Sequence, residues 1–331
     1  MHLDDHFDVL LKDTVNMSQS RLDLLDSRVT AIHTALQADP VLGPYVLGKI
    51  PQGSWAHRTI INPVAGREFD ADVMLLLEEN PAWSASPKTY IEQVYQALSR
   101  HGTYGAMPRS RKCRCVRLTY AGSCHVDIVP YLTLAGGRQV IVNRDNDEWE
   151  DTNPEGFTAW MREKDQLAGG NLRRVIRLMK YLRDHKNSFT GTRSVILTTL
   201  LGQQVSGVKL LFDTGYYNST PTALVHIVND LDAWLQARPL KPSVPDPSGS
   251  GVTFDHRWDQ ATYGYFRDRI HAHAAHMQDA YDEPGKDASV AKWQAVFGDG
   301  FTAPAPAASS GRFGTAAGAA AFTTGRSGRA G

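Results

Sequence analysis

Two aspartates one residue apart, at the mouth of an apolar run, constrain this chain more than any other feature. They close the stretch PQGSWAHRTIINPVAGREFDADVML, residues 51 to 75, where Asp70 and Asp72 lead straight into Val73, Met74 and three leucines. Residues 69 to 77 are predicted as a strand, followed by the breaker Asn80-Pro81. A period of two sets Asp70 and Asp72 on one face of that strand and Ala71 on the other. Like charges so placed cost free energy or force protonation unless a cation joins them. A fold for this chain must therefore bring both carboxylates a partner.

The rest of the chain supplies candidates. Leu22, Leu25, Val29, Ile32 and Leu36 make one apolar stripe, predicting a helix over 17–38 that Asp39-Pro40 ends. A second helix is predicted over 87–101. Residues 113 to 132 read as a hairpin: CRCVRLTY alternates, Ala121-Gly122-Ser123 turns, and CHVDIVPYL returns. In its first arm Cys113, Cys115, Arg117 and Thr119 share a face; in its second, His125, Asp127 and Val129 do. If the hairpin lies beside the 69–77 strand, Asp127 joins Asp70 and Asp72. Oxygen ligands on short rigid strands suit Mg²⁺, which keeps positions for water and phosphates. Upstream, Gly53 lets backbone approach a phosphate closely, and Ser54 adds a hydroxyl. Phosphate cradle, paired carboxylates, then a third carboxylate on a later strand is the order of a two-metal nucleotidyl transferase.

From residue 154 the pattern is mainly helical, with Leu172, Val175, Ile176, Leu178, Met179 and Leu182 apolar in GGNLRRVIRLMKYLRDHKNSF. Residues 239 to 251 are loop-like, 257 to 281 helical, and AKWQAVFGDGF closes the folded part. Beyond it, residues 302 to 331 are rich in alanine, glycine, serine and threonine, the composition of a disordered tail.

Charge excludes some functions. Thirty-five basic residues balance 35 acidic ones, which argues against a general polyanion binder while leaving room for a local basic pocket. The cysteines Cys113, Cys115 and Cys124 read as buried thiols rather than a disulfide framework or zinc site. The acidic start MHLDDHFDVL lacks a signal-peptide n-region, and no apolar run approaches the ~18 residues of a membrane span, so a cytoplasmic protein is expected. His271, His273 and His276 lack metalloprotease spacing and read as a solvated helix face. NRDNDEWE (143–150) lacks the glycine and terminal glutamate of a calcium loop, and Trp149 and Trp160 read as core.

The string QGS…T…I…FDADV…HVDIVP resembles the nucleotidyltransferase superfamily that contains DNA polymerase β. More narrowly it is similar to the branch holding 2′-5′ oligoadenylate synthetases and bacterial CD-NTases, the cyclic-oligonucleotide synthases of CBASS anti-phage systems. EWEDTNPEGFTAWMREKDQL, NLRRVIRLMKYLRDH, FDHRWDQATYGYF and KWQAVFGDGF extend the likeness over residues 17 to 301, nearest to clade D and then clade C. Arg58 departs from it, standing where the family usually has glycine, and the segment from 55 to 69 is slightly long.

The resemblance implies an α+β fold: a polymerase β-like lobe of mixed sheet and flanking helices, a helical C-terminal lobe, and an active site in the cleft between them. It places the catalytic lobe with its N-terminal spine helix at 1–150, the helical lobe at 151–301 and the tail at 302–331. It implies Asp70, Asp72 and Asp127 as ligands of two Mg²⁺ ions, with Mn²⁺ able to substitute and Asp127 also helping to activate the attacking hydroxyl. Gln52, Gly53, Ser54, Lys180 and Ser194 would bind nucleotide, ATP or other triphosphates. The implied reaction joins them into a cyclic di- or trinucleotide containing adenine, releasing pyrophosphate. Template-independent RNA nucleotidyl transfer and a non-catalytic scaffold are the alternatives; the former needs a basic groove for long RNA, against which the neutral charge speaks. The terminus Arg329-Ala330-Gly331 is similar to a ubiquitin-like end, implying conjugation at Gly331 by an E1/E2-like ligase or capture by a HORMA partner.

Overall fold

The computed structural model describes residues 2–64, 69–122 and 124–305. Among these, seven strands form one mixed sheet: β1 (Val46–Gln52), β2 (Phe69–Leu77), β3 (Arg109–Arg111), β4 (Val116–Tyr120), β5 (Cys124–Thr133), β6 (Gln139–Asn143) and β7 (Glu148–Asp151). The order is β1-β2-β5-β4-β3, with β6 and β7 continuing from the far end of β5. The β2–β5 pair is parallel and the other pairings are antiparallel. A parallel pair needs a long crossover, supplied by the Lys88–Arg100 helix and the β3–β4 hairpin.

Period two then sorts the sheet into faces. Ala71, Val73, Leu75 and Leu77 of β2 and Val126 and Ile128 of β5 enter a core with Leu25, Val29, Ile32 and Leu36 of the Gln19–Gln37 helix. Tyr90, Ile91, Val94 and Leu98 of the Lys88–Arg100 helix complete it. The opposite face carries a small apolar patch of Met74, Cys115, Val129 and Tyr131. Asp72, Asp127 and Arg117 precede that patch on the same face.

A second core holds the Pro154–Leu167, Asn171–His185, Ser194–Gln203, Thr220–Gln236, Gln260–Asp282 and Lys286–Phe297 helices. It also takes in the chain's start. Leu3, Phe7, Leu10, Leu11 and Val15, on a helix at Asp4–Val9 and the π-turn Leu10–Val15, are buried there. The Phe7 ring meets Trp293 at 4.9 Å and Phe301 at 5.0 Å. The sequence places this segment with the 1–150 lobe; Leu3 to Val15 turn their apolar side chains into the helical core.

Other expectations need correction. Lys112 N–H donates to the Cys115 carbonyl at 2.8 Å, so Cys113 and Arg114 form the tip of the β3–β4 turn and Cys113 leaves the face of Arg117. Its thiol bonds Asn143 instead, and Arg114 reaches Glu150 on β7. His273 is not on a solvated face: it is buried and bonds Ser188 at 3.1 Å, whereas His271 is exposed and pairs with Asp232. Residues 194 to 212 are long and apolar enough to cross a membrane by composition, contrary to the reading of the sequence. Ser206 breaks that stretch by capping a new helix, and Ile196, Leu197, Leu200 and Leu201 are fully buried in the helical core.

Candidate active site

The parallel register sets Asp72 directly beside Asp127 and Asp70 beside His125. On the other side of β2, Gln52 at the end of β1 lies opposite Asp72. Three strands therefore deliver Gln52, Asp72 and Asp127 to one level of the sheet. The chain leaves β1 through Gly53, whose φ is +64°, into the short Gly53–Ala56 turn of helix. A Cβ at Gly53 would stand 2.4 Å from Asp72 Oδ2. The left-handed backbone angle favours glycine here, and the Asp72 carboxylate occupies the space a Cβ would take.

Ser54 lies half-buried in that turn, and its carbonyl accepts from Thr59 N–H at 2.8 Å. Between them Arg58 holds φ +56°, the left-handed region that glycine occupies freely. The glycine that the resemblance leads one to expect at this position would relieve a backbone angle that arginine adopts at a cost. Arg58→Gly should raise the urea midpoint, by an amount corresponding to about 0.5–1 kcal/mol after the entropy of the added glycine; an unchanged or lower midpoint would refute the strain.

The Asn171–His185 helix grips this turn from the other lobe. Lys180, buried, donates from Nζ to the Thr59 carbonyl at 3.0 Å and to its hydroxyl at 3.2 Å. Arg173 donates to the His57 carbonyl at 2.9 Å while paired with Asp165. Burial, then Arg183, lowers the Lys180 pKa to about 7, opposed by Asp184 and Asp72. Burial, then Lys180 and Arg173, pushes His57 down to about 4, so the imidazole is neutral at pH 7. Ser194 starts the Ser194–Gln203 helix and accepts from Arg183 Nη1 at 3.1 Å, which joins it to the turn of helix carrying Lys180.

Burial, then Asp127 and Asp70, raises the Asp72 carboxyl to about 6. The sequence reading missed the group that answers these charges. Arg117, opposite Asp127 in the β4–β5 register, forks onto it: Nε donates to Oδ1 and Nη2 to Oδ2, each at 2.8 Å. Nη2 also lies 3.3 Å from Asp70 Oδ1. Counting back from the Ala121–Ser123 turn would have found this pairing, since a tight hairpin sets 117 against 127. As the side chains stand, no three His, Cys, Asp or Glu groups among the described residues are gathered around one point that could hold an ion. Shared register, not a finished cage, is what brings the aspartates together.

The donor set still fits a hard divalent cation. It is all oxygen, it sits on adjacent strands, and Asp72 is buried beside two other carboxylates, an excess of negative charge that such a cation would offset. Bound there, Mg²⁺ would stabilise charge on a triphosphate and lower the pKa of an attacking hydroxyl. Gly331 lies outside the described residues.

A mixed sheet with carboxylates on a parallel strand pair, a glycine turn beside them and a helical lobe gripping that turn define a polymerase β-like nucleotidyltransferase fold. Residues 1–165 match the family model of the Second Messenger Oligonucleotide or Dinucleotide Synthetase domain. The chain belongs to the CD-NTase family. Over 235 residues it is 26% identical to a c-di-GMP synthase of Roseivirga ehrenbergii, covering 62% of this chain and 61% of that protein. The chain thus matches less than two thirds of that relative's length. Over 252 residues it is 22% identical to a cyclic AMP-AMP-AMP synthase of an Acinetobacter strain, covering 75% of this chain and 71% of the relative. Among solved structures, Escherichia coli CdnC with ATP superposes with a TM-score of 0.67 at 18% identity, covering 91% of this chain and 100% of that one. CdnC in its HORMA-deltaN complex gives 0.68 at the same identity, covering 91% and 99%.

Proposed function

We propose that this protein joins nucleoside triphosphates into a cyclic oligonucleotide messenger, releasing pyrophosphate, with ATP among its substrates and a di- or trinucleotide as product. The observation that carries the reading is the pairing of Asp72 with Asp127 beside the Gly53 turn. Carboxylates and phosphate turn converge from β1, β2 and β5, three strands that no local sequence pattern holds together. The names of the two sequence relatives, makers of a cyclic dinucleotide and a cyclic trinucleotide, support the product class. Signalling in CBASS-type phage defence belongs to the same reading.

In this scheme the Gly53-Ser54 turn and Gln52 receive the triphosphate. Lys180 and Arg173 hold residues 57 to 59 against the helical lobe, so the turn keeps its shape as phosphates enter. Asp127 would orient the attacking hydroxyl and accept its proton. Two Mg²⁺ ions, or Mn²⁺, would be held by Asp70, Asp72 and Asp127. Purified protein given the four ribonucleoside triphosphates with Mg²⁺ or Mn²⁺ should yield phosphatase-resistant cyclic products by mass spectrometry. Products that only lengthen an added RNA, none of them cyclic, would favour template-independent RNA synthesis instead.

A further inference from the structure

Arg117 is placed to do more than balance charge. Its side-on fork, through Nε and Nη2, engages both oxygens of Asp127 in a bidentate, charge-assisted pair. Its remaining reach goes to Asp70, so one guanidinium spans two of the three aspartates. The pair is sheltered, with Asp127 only 11% exposed at its side chain, and water screens it less than a surface pair. A divalent cation seeking Asp127 must therefore compete with a bound guanidinium for the same oxygens. Guanidinium forks onto phosphate as readily as onto carboxylate. A triphosphate entering at Gly53 is thus an anion able to take the guanidinium over and free Asp127.

We propose that Arg117 is a positioning residue that guards Asp127 against cations arriving alone, so that the carboxylates load divalent metal together with a nucleoside triphosphate. The inference rests on the carboxylate assignment made above. Arg117 sets the loading order through its competition for Asp127; it need not touch the reacting atoms.

The test is Mn²⁺ titration followed by electron paramagnetic resonance on the full chain, with and without a nonhydrolysable ATP analogue. Wild type should bind Mn²⁺ weakly alone and much more tightly with the analogue. Arg117→Gln should bind Mn²⁺ alone about tenfold tighter, the effect of about 1.4 kcal/mol of released competition, and so narrow the gap made by the analogue. Arg117→Lys, which keeps the charge but not the fork, should fall between them and serves if the glutamine variant folds poorly. Adding Asp127→Asn should erase the gain from Arg117→Gln. A merely structural Arg117 predicts the opposite, since loosening Asp127 would weaken Mn²⁺ binding. Unchanged or weaker Mn²⁺ binding by a folded Arg117→Gln, with binding still dependent on Asp70 and Asp72, overturns this proposal alone. No carboxylate-dependent Mn²⁺ binding under any condition overturns it together with the metal assignment.

Discussion

Asp72→Asn should abolish nucleotide joining and, in the same protein, raise its stability in EDTA at pH 7. The loss follows from its position: Asp72 is pressed against Gly53, in the turn proposed to bind phosphate, and level with Asp127. Losing a carboxylate in the metal-holding role proposed for Asp72 costs several kcal/mol of transition-state stabilisation, roughly a thousandfold or more in rate. The gain follows from electrostatics. Burial and two neighbouring aspartates raise this carboxyl from its ordinary 3.8 to about 6. At pH 7 it is charged in both folded and unfolded chains, and the folded chain bears the full cost, about 1–3 kcal/mol. Between pH 6 and 4 the folded state takes up a proton before the unfolded one does, so wild-type stability recovers as pH falls. The variant's advantage should therefore be complete above pH 6 and fade towards pH 4. Urea unfolding in EDTA at pH 7.5 and 4.5 measures it. An advantage that is absent, or independent of pH, would remove Asp72 from its crowded setting.

Lys180→Met carries the second large effect. Buried charge-assisted hydrogen bonds contribute about 1.5–3 kcal/mol, so, if the Gly53–Thr59 turn binds phosphate as proposed, nucleotide affinity should fall ten- to a hundredfold when it loses this lysine. Its stability signature has the opposite pH sense to that of Asp72. The folded pKa is lowered to about 7 from an ordinary 10.5. Between those values the unfolded chain holds a proton that the folded chain has released, so stability rises with pH. Wild type should gain on Lys180→Met from pH 7 to 9, by up to about 1.4 kcal/mol per pH unit. Parallel unfolding curves for the two proteins across that range would show that Lys180 is not titrating in a buried setting.

Much of the site was legible because its chemistry is local. FDADV states a strand and a shared face for Asp70 and Asp72, and the strand stands at Phe69–Leu77 as read. The helix around Leu25 follows from its apolar stripe, and the one predicted over 87–101 stands at Lys88–Arg100. Other elements were hidden by residues that argue against them. Gly48 and Pro51 disguise β1, which tolerates them because it pairs with β2 on one side and forms the sheet's edge. The Asp4–Val9 helix was hidden by brevity, since six residues carry little periodicity of their own.

Gly53 marks the boundary between the two kinds of knowledge. From the chain alone it is a residue that could let a phosphate approach; in the fold it is also the space that Asp72 needs. Residue order by itself determined which side chains carry charge at a strand mouth and which face they share, because the period of two is a property of the backbone. Tertiary structure decided their partners. Arg117 meets Asp127 through hairpin register, Asp72 meets Asp127 through a parallel pairing closed over a long crossover, and Lys180 meets Thr59 between two separately packed cores. Those contacts depend on burial and register summed over many residues, which no short stretch of sequence contains.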